Sequence, residues 1–282
     1  MTISKRAQSE TPVVSVIIPS LDGDRGGNVR LLLDDLNQQS FQDLEIIIVS
    51  GIRPQGKAIN QAAAEADGEF LLVIDDDIRP GSPDVIQNLV TVLREHPDVG
   101  LAGASIVPPT DGSWLQRRLA HEMPRFSMPI VKRLTDSDMP CHGCCAISAK
   151  LFHKIGGELE IAPRGLDPDL RRRVREHGRR VVLAPDTLAY HPLPTTFVAV
   201  MKMFYRNGGS SAFLQRHYPH LVVETPESVD CRGGTENTSL RMRAFRFPLR
   251  WLGRVLRGHM LRAIGELAYA TGYAIEFTRR AG

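Results

Sequence analysis

"FLLVIDDDIRPGS" (residues 70–82) runs five apolar residues into three consecutive aspartates and then breaks at Pro80-Gly81. Such a segment has the character of a buried strand whose carboxyl end faces something positive, because adjoining carboxylates repel one another. Working outward, "VVSVIIPS" (13–20) and "LEIIIVSG" (44–51) are apolar runs rich in β-branched residues, which suit strands buried on both faces. "NVRLLLDDLNQQS" between them has helical spacing with Leu32 and Leu36 on one side, and "GKAINQAAAEADGE" reads as an alanine-rich helix feeding the 70–74 strand. Strand, helix, strand, helix, strand with short connections predicts an α/β fold. Its sheet is Rossmann-like and mostly parallel, flanked by helices and built with right-handed crossovers.

In such sheets ligands bind beyond the carboxyl ends of the strands. Asp75 to Asp77 lie at one such end, and Ser20 to Asp24 and Ser50-Gly51 lie at two others. A bend there can aim Asp75 and Asp77 at one ion, and carboxylate oxygens suit a hard cation such as Mg²⁺ or Mn²⁺ that also binds phosphate. A plain turn is the alternative reading, since Asp, Pro and Gly all favour turns.

The chain has 282 residues, 42% of them hydrophobic, enough for one large domain or a domain with an extension. The polar N-terminus and the short apolar run after it resemble neither a signal peptide nor a membrane span, so a cytoplasmic location is expected. Net charge is +3, but residues 241–282 carry nine arginines against two glutamates, a balance of +7 that leaves −4 for residues 1–240. An acidic body with no recognition module argues against nucleic acid as partner. From Trp251 to Phe277, Val255, Leu256, Met260, Ile264 and Leu267 recur at helical spacing, with Arg254, His259, Arg262 and Glu266 mainly on another side. This predicts either a basic amphipathic extension on the inner face of an anionic membrane, through residues 241–280, or a helix pair packed on its own catalytic domain or on a second subunit. Four cysteines, three of them at Cys141, Cys144 and Cys145 and the fourth at Cys231, form no disulfide framework. "CHGCC" (141–145) lacks the second ligand pair that a zinc site needs.

"VSVIIPS", "QQSFQDLEIIIVS", "NQAAAEADGEFLLVIDDD", "HGCCAISAKLFHKIGG", "GLDPDLRRRVREHG" and "APDTLAYH" resemble, in order and spacing, the family 2 glycosyltransferases, inverting enzymes of the GT-A fold. The resemblance covers roughly residues 13–192. It implies a nucleotide-sugar donor, a saccharide or lipid-linked acceptor, and Mg²⁺ or Mn²⁺ as cofactor. Asp75 and Asp77 match the D-x-D motif that holds the ribose and the metal on the diphosphate, with Asp76 between them. Pro19, Ser20, Asp22, Ser50, Lys57 and Asn60 would border the nucleotide, and His191 stands where a third metal ligand is found. Gly143 matches the stretch lining the acceptor side, where Tyr205 and Arg206 would follow. Asp167 matches the catalytic base. It also suits a helix N-cap, with Pro168 at the first helical position.

The chain departs from the family pattern at Leu166, which replaces an acidic residue, at Ser50, which replaces an aspartate, and at Ile59, which replaces an arginine. No Q-x-x-R-W motif of the polymer-extruding members is present, which favours addition of a single sugar. The expected organisation is a flexible tail over 1–12, a GT-A catalytic domain over 13–223, and a linker with the helical extension over 224–282. A catalytically silent sugar-nucleotide-binding or membrane scaffold and a nucleotidyltransferase are the rival functions. A phosphatase using an aspartate nucleophile is disfavoured, because Arg79 stands where its threonine belongs.

Overall fold

The computed structural model describes residues 2–160, 165–221 and 240–279, without the side chains of 240–244. The linker expected from residue 224, with Cys231, therefore lies outside the described residues up to 239. Contacts divide the chain into one unit of residues 1–109 and 128–192 and another of 110–127 and 193–282.

The first unit begins with β1 (Thr2–Ala7), β2 (Val14–Ser20), α1 (Asn28–Asn37), β3 (Leu44–Ser50), α2 (Gln55–Ala64) and β4 (Phe70–Val73). It continues through β5 (Arg79–Pro80), α3 (Val85–Glu95) and β6 (Val99–Val107). After α4 (Trp114–Glu122), which belongs to the second unit, come β7 (Thr135–Asp136), β8 (Cys145–Ser148), α5 (Ala149–Lys154), α6 (Leu166–Glu176) and β9 (Arg180–Tyr190). The strands form one sheet in the order β1-β3-β2-β4-β8-β6-β9-β5, with β7 paired to β9. β2, β3, β4, β6 and β9 all point one way, so the mostly parallel sheet expected from the sequence is present, with β8 inserted antiparallel between β4 and β6.

Alternation along β2 divides the core between two layers. Val14, Val16 and Ile18 join Leu32 and Leu36 of α1 and Ile86, Leu89 and Leu93 of α3 on one face. Ile17 joins Ala58, Ile59 and Ala62 of α2 and Leu170 and Val174 of α6 on the other. Each fully buried aliphatic side chain contributes about 1.5–3 kcal/mol.

Residues 2–7, expected within a flexible tail, instead pair antiparallel with β3 from Thr2↔Ser50 to Ala7↔Glu45. The reason is a carboxylate inside the sheet. Fully buried Glu45 accepts from Ser15 Oγ at 2.6 Å and from the Asp67 N–H at 2.7 Å, and Lys5 Nζ reaches its other oxygen at 2.8 Å. Hydrogen bonds to Asp67 and Glu45 hold the Lys5 ammonium above its ordinary pKa, so it stays charged as the counter-ion.

The second unit contains α4, α7 (Phe197–His217), α8 (Leu240–Leu256) and α9 (Met260–Thr278). Leu119, Phe204, Ala212, Leu261, Tyr269 and Tyr273 form its core. Arg254, Arg262 and Glu266, expected on a polar side, are buried here. Arg262 donates its backbone N–H to Glu122 Oε2 at 2.8 Å and its Nε to Glu266 Oε1 at 3.1 Å, and Arg118 Nε meets Glu122 Oε1 at 2.6 Å. α9 is thus a packing helix of the second unit, and a side chain's charge did not reveal its face.

α7 and α9 cross with their backbones in contact. A Cβ on Gly208 would lie 1.9 Å from the Tyr269 carbonyl oxygen, and one on Gly272 would lie 2.1 Å from that of Tyr205. Gly272→Ala must push the helices apart and is expected to cost about 1–3 kcal/mol, read as a lower Tm. Gly253→Ala, whose Cβ meets nothing within 4 Å, is expected to leave Tm unchanged or raised.

Candidate active site

The last rung of β4 is the Ile74 N–H bonded to the Ile17 carbonyl at 3.0 Å, and the chain turns immediately, with the Ile78 N–H on the Asp75 carbonyl. The aspartates between them diverge. Asp75 Oδ1 accepts from Gln55 Nε2 at 2.7 Å, at the start of α2. Asp76 is buried, hydrogen-bonds Ser20, lies 3.3 Å from Arg25 Nη1, and keeps an Oδ2 with no hydrogen-bond partner among the described residues. Asp77 Oδ2 takes Arg25 Nη2 at 2.6 Å, and its Oδ1 lies 3.6 Å from His191 Nε2.

The environments of Asp75 and Asp76 shift these two acids upward. Burial, reinforced by Asp167 and Asp77 and opposed by His142 and His191, pushes the Asp75 carboxyl up to about 6. Burial also raises Asp76, against the Ser20 hydrogen bond and the Arg25 charge. Asp75 takes up a proton below about pH 6, and above that its charge is held at a cost.

Arg25 is delivered by the loop after β2. Ser20 Oγ accepts the Gly23 N–H at 3.1 Å, and Asp22 Oδ1 accepts the N–H groups of Asp24 at 3.0 Å and Arg25 at 2.7 Å, leaving Arg25 at φ +50°. Those N–H bonds lower the Asp22 carboxyl's pKa. Asp22, expected to border the nucleotide, is therefore an exposed turn acceptor that shapes the loop.

Among the described residues no three His, Cys, Asp or Glu side chains are already arranged around one metal position. The residues nevertheless fit a hard divalent cation. Asp75 and Asp77 supply oxygen donors, the Asp76 Oδ2 is buried without a partner, and His191 adjoins Asp77.

The other expected nucleotide contacts separate. Pro19 and Ser20 are buried at the end of β2, Ser50 ends β3 next to the loop, and a Cβ on Gly23 would meet the Ser50 Cβ at 3.4 Å. Lys57 is exposed in the first turn of α2. Asn60 takes a different part. Its amide donates to the Glu158 carbonyl at 2.9 Å and accepts the Glu158 N–H at 2.7 Å, clamping a distant loop. Gly143 is packed against Ile106, and a Cβ there would come within 3.1 Å of that side chain. Tyr205, 42% exposed, and Arg206 lie on α7 of the second unit. Cys144 and Cys145 are buried thiols, which burial pushes up to about 12 for Cys144 and well above the ordinary value for Cys145.

Asp167 is not the cap of α6. The helix starts at Leu166 with Gly165 as N-cap at φ +85°, which puts Asp167 within the first turn. Its Oδ1 instead receives two hydrogen bonds from His142, from Nδ1 at 2.9 Å and the backbone N–H at 2.8 Å, while Oδ2 has no hydrogen-bond partner among the described residues. Burial acts to raise this carboxyl, but the His142 charge and hydrogen bonds, with Arg171, outweigh it and hold Asp167 well below the usual carboxylate range. His142 Nε2 meets buried Glu158 Oε1 at 2.9 Å. Sequence reading missed Arg25, His142 and Glu158 as site residues. His142 drew notice only as a zinc candidate, and nothing local announces that Glu158 will meet it.

The family model described as "Glycosyl transferase family 2" matches residues 53–156. The O-antigen biosynthesis protein RfbC of Myxococcus xanthus is 25% identical over 224 residues, 64% of this chain and 17% of that protein. An uncharacterized protein, y4gI, of Sinorhizobium fredii is 26% identical, over 64% of this chain and 24% of that protein. The chain thus spans less than a quarter of the length of either relative. Among solved structures, the mannosyltransferase PcManGT of Pyrobaculum calidifontis, in complex with GDP-Man and Mn²⁺, matches with a TM-score of 0.61 at 16% identity, over 98% of this chain and 90% of that one. TarS of S. aureus matches at 0.50 and 14% identity, over 93% of this chain and 55% of that one. The fold is that of the GT-A glycosyltransferases.

Because the Asp75 pKa is raised to about 6, its charged form costs the folded state stability that is fully lost above that pH. Asp75→Asn keeps the acceptor for Gln55 and removes the charge. It is expected to stabilise the ligand-free protein at pH 7–8 by on the order of 1 kcal/mol, with the gain vanishing below about pH 4 in a Tm-against-pH series.

Proposed function

We propose that this chain, which belongs to glycosyltransferase family 2, moves a single sugar from a nucleotide donor to a hydroxyl of a saccharide or lipid-linked acceptor, with inversion at the anomeric carbon. The observation that carries this reading is Asp167. One oxygen is anchored by His142, the other is without a partner among the described residues, and Asp75 at the end of β4 lies within electrostatic reach. A carboxylate so held stays ionised across the working pH range and can take a proton on a defined oxygen.

In this reading the acceptor hydroxyl attacks the anomeric carbon on the face opposite the diphosphate. Its proton passes to Asp167 Oδ2, and the nucleoside diphosphate departs with the bonding electron pair. Arg25, set beside Asp76 and Asp77, offers a fixed positive charge to the leaving phosphates. Asp75 and Asp77, with His191, would hold Mg²⁺ or Mn²⁺. Such an ion supplies charge neutralisation to the departing group worth several kcal/mol. Ser20 and Ser50, at two neighbouring strand ends, border the nucleotide. The match to an O-antigen biosynthesis protein supports a role in cell-surface glycan synthesis.

Nucleoside diphosphate release from UDP-, GDP- and dTDP-sugars with Mn²⁺ or Mg²⁺, with and without lipid extract, tests the reading. Asp167→Asn is expected to lower turnover by about 10²- to 10⁴-fold with donor binding retained. Donor binding without release by the wild-type protein under every condition would favour a silent scaffold.

The extension supports contact with an anionic membrane from the inner face. Phe245, Leu249, Leu252 and Leu256 form one stripe of α8, at 77%, 73%, 48% and 78% exposure, with Arg246, Arg250 and Arg257 alongside. No described helix is long and apolar enough to cross a membrane. Co-sedimentation with vesicles is expected to require phosphatidylglycerol, to weaken with salt, and to be lost in Leu249→Glu/Leu256→Glu.

A further inference from the structure

His142 is 4% exposed and lies between two carboxylates, Asp167 on its Nδ1 and Glu158 on its Nε2, both at 2.9 Å. A neutral imidazole carries one N–H and can donate to only one of them. The imidazolium donates to both. Glu158 is itself 4% exposed, and its Oε2 has no hydrogen-bond partner among the described residues, so His142 is the one hydrogen-bonding partner seen there for its carboxylate.

The segment carrying Glu158 is held as a deliberate support would be. Asn60 clamps its backbone on both sides, and Arg173 Nη1 takes the carbonyls of Ile155 at 2.8 Å and Gly157 at 2.6 Å. Gly157, at φ +67°, leaves no room for a side chain, because a Cβ would lie 2.6 Å from Asn60 Oδ1. A buried carboxylate on a loop clamped this firmly costs desolvation, which a partner must offset.

We infer that Glu158 and His142 are positioning residues for the base: Glu158 keeps His142 as an imidazolium, and His142 pins Asp167 Oδ1 so that Oδ2 alone meets the acceptor hydroxyl. Its kinetic consequence rests on the proposed glycosyl transfer, and its geometry does not. During transfer the acceptor's proton goes to Asp167 Oδ2, while His142 keeps both of its protons. The other charged groups facing the trio are Asp75 at the end of β4 and Arg171 of α6, with the Cys145 thiol held neutral. Burial alone would lower the His142 pKa, but Asp167 and Glu158 together raise it well above the ordinary value.

The sign for a variant follows. Glu158→Gln removes one of the two anions, so His142 loses its second proton at lower pH. Once neutral, His142 carries one N–H and no charge, so its hold on Asp167 Oδ1 weakens and the variant's kcat/KM falls as pH rises through the lowered His142 midpoint: the alkaline limb moves to lower pH, while at the acid limb His142 is protonated in both proteins. Two measurements decide the matter. First, ¹⁵N-imidazole NMR, with His142 assigned through His142→Gln, is expected to show double protonation at pH 7 in the wild-type protein and a titration midpoint at least about a unit lower in Glu158→Gln. Second, Glu158→Gln and His142→Gln are expected to lower kcat by roughly 10²-fold with donor KM nearly unchanged, and Glu158→Gln to shift the alkaline limb to lower pH. A neutral His142 at pH 7 in the wild type, or an activity loss in Glu158→Gln that is even across pH, would overturn the inference. Absence of turnover in the wild type would sink the transferase reading instead, and the NMR titration would still decide the trio.

Discussion

The crowding of three adjoining carboxylates, Asp75, Asp76 and Asp77, at a strand end where burial already disfavours the charges of Asp75 and Asp76, is the constraint around which the first unit is arranged. Two like charges 4 Å apart at an effective dielectric near 20 repel by roughly 4 kcal/mol, a large share of the ~5–15 kcal/mol that holds a domain together. The fold meets this with positive and donor groups from elements far apart in sequence: Ser20 and Arg25 after β2, Gln55 on α2, and His191 after β9. Even so, Asp75 and Asp76 remain raised. Buried carboxylates held at this cost are what the proposed binding of a cation and a diphosphate would relieve.

The same crevice holds an acid displaced the other way. Asp75 is raised by burial among carboxylates, whereas Asp167 is lowered because His142 overcomes burial. Two acids whose environments drive them apart are suited to two roles. In the proposed reaction the acid with the raised pKa would face the cation, and the one that resists protonation has an oxygen without a hydrogen-bond partner among the described residues to receive the acceptor's proton. Arg25 and the Glu158–His142 pair act at opposite ends of this division.

Where the sequence was legible, the physics was local. β2 and β3 announce themselves by runs rich in β-branched residues, β4 by an apolar run, α2 by alanine, and the strand-end carboxylates by position, so the sheet and the Asp75–Asp77 edge followed from pattern. What was misread depends on partners distant in the chain. β1 is polar because its Lys5 answers a buried Glu45, an ion pair that no window shows. Arg262 and Glu266 read as a solvent face but pair with each other inside the second unit, where Glu122 is met by Arg118 and by the Arg262 backbone N–H. Asn60 looked like a ligand contact and is a clamp on Glu158. Asp167 before Pro168 has the chemistry of a cap, yet the helix starts one residue earlier and leaves the carboxylate to His142.

The antiparallel insertion of β8 explains why those distant groups meet. Cys145 pairs with Val73, so the start of β8 lies beside the end of β4, and the residues immediately before it, His142 among them, are delivered to the carboxylate edge. A parallel strand in that place would have brought its last residues there and its first to the opposite side of the sheet. α6 then returns to the same edge with Asp167 in its first turn, where the helix dipole favours a negative side chain and the His142 N–H groups fix its direction. One reversal of strand direction thus brings a histidine and an aspartate, from segments that each read as ordinary turn and helix start, into contact beside the aspartates at the end of β4.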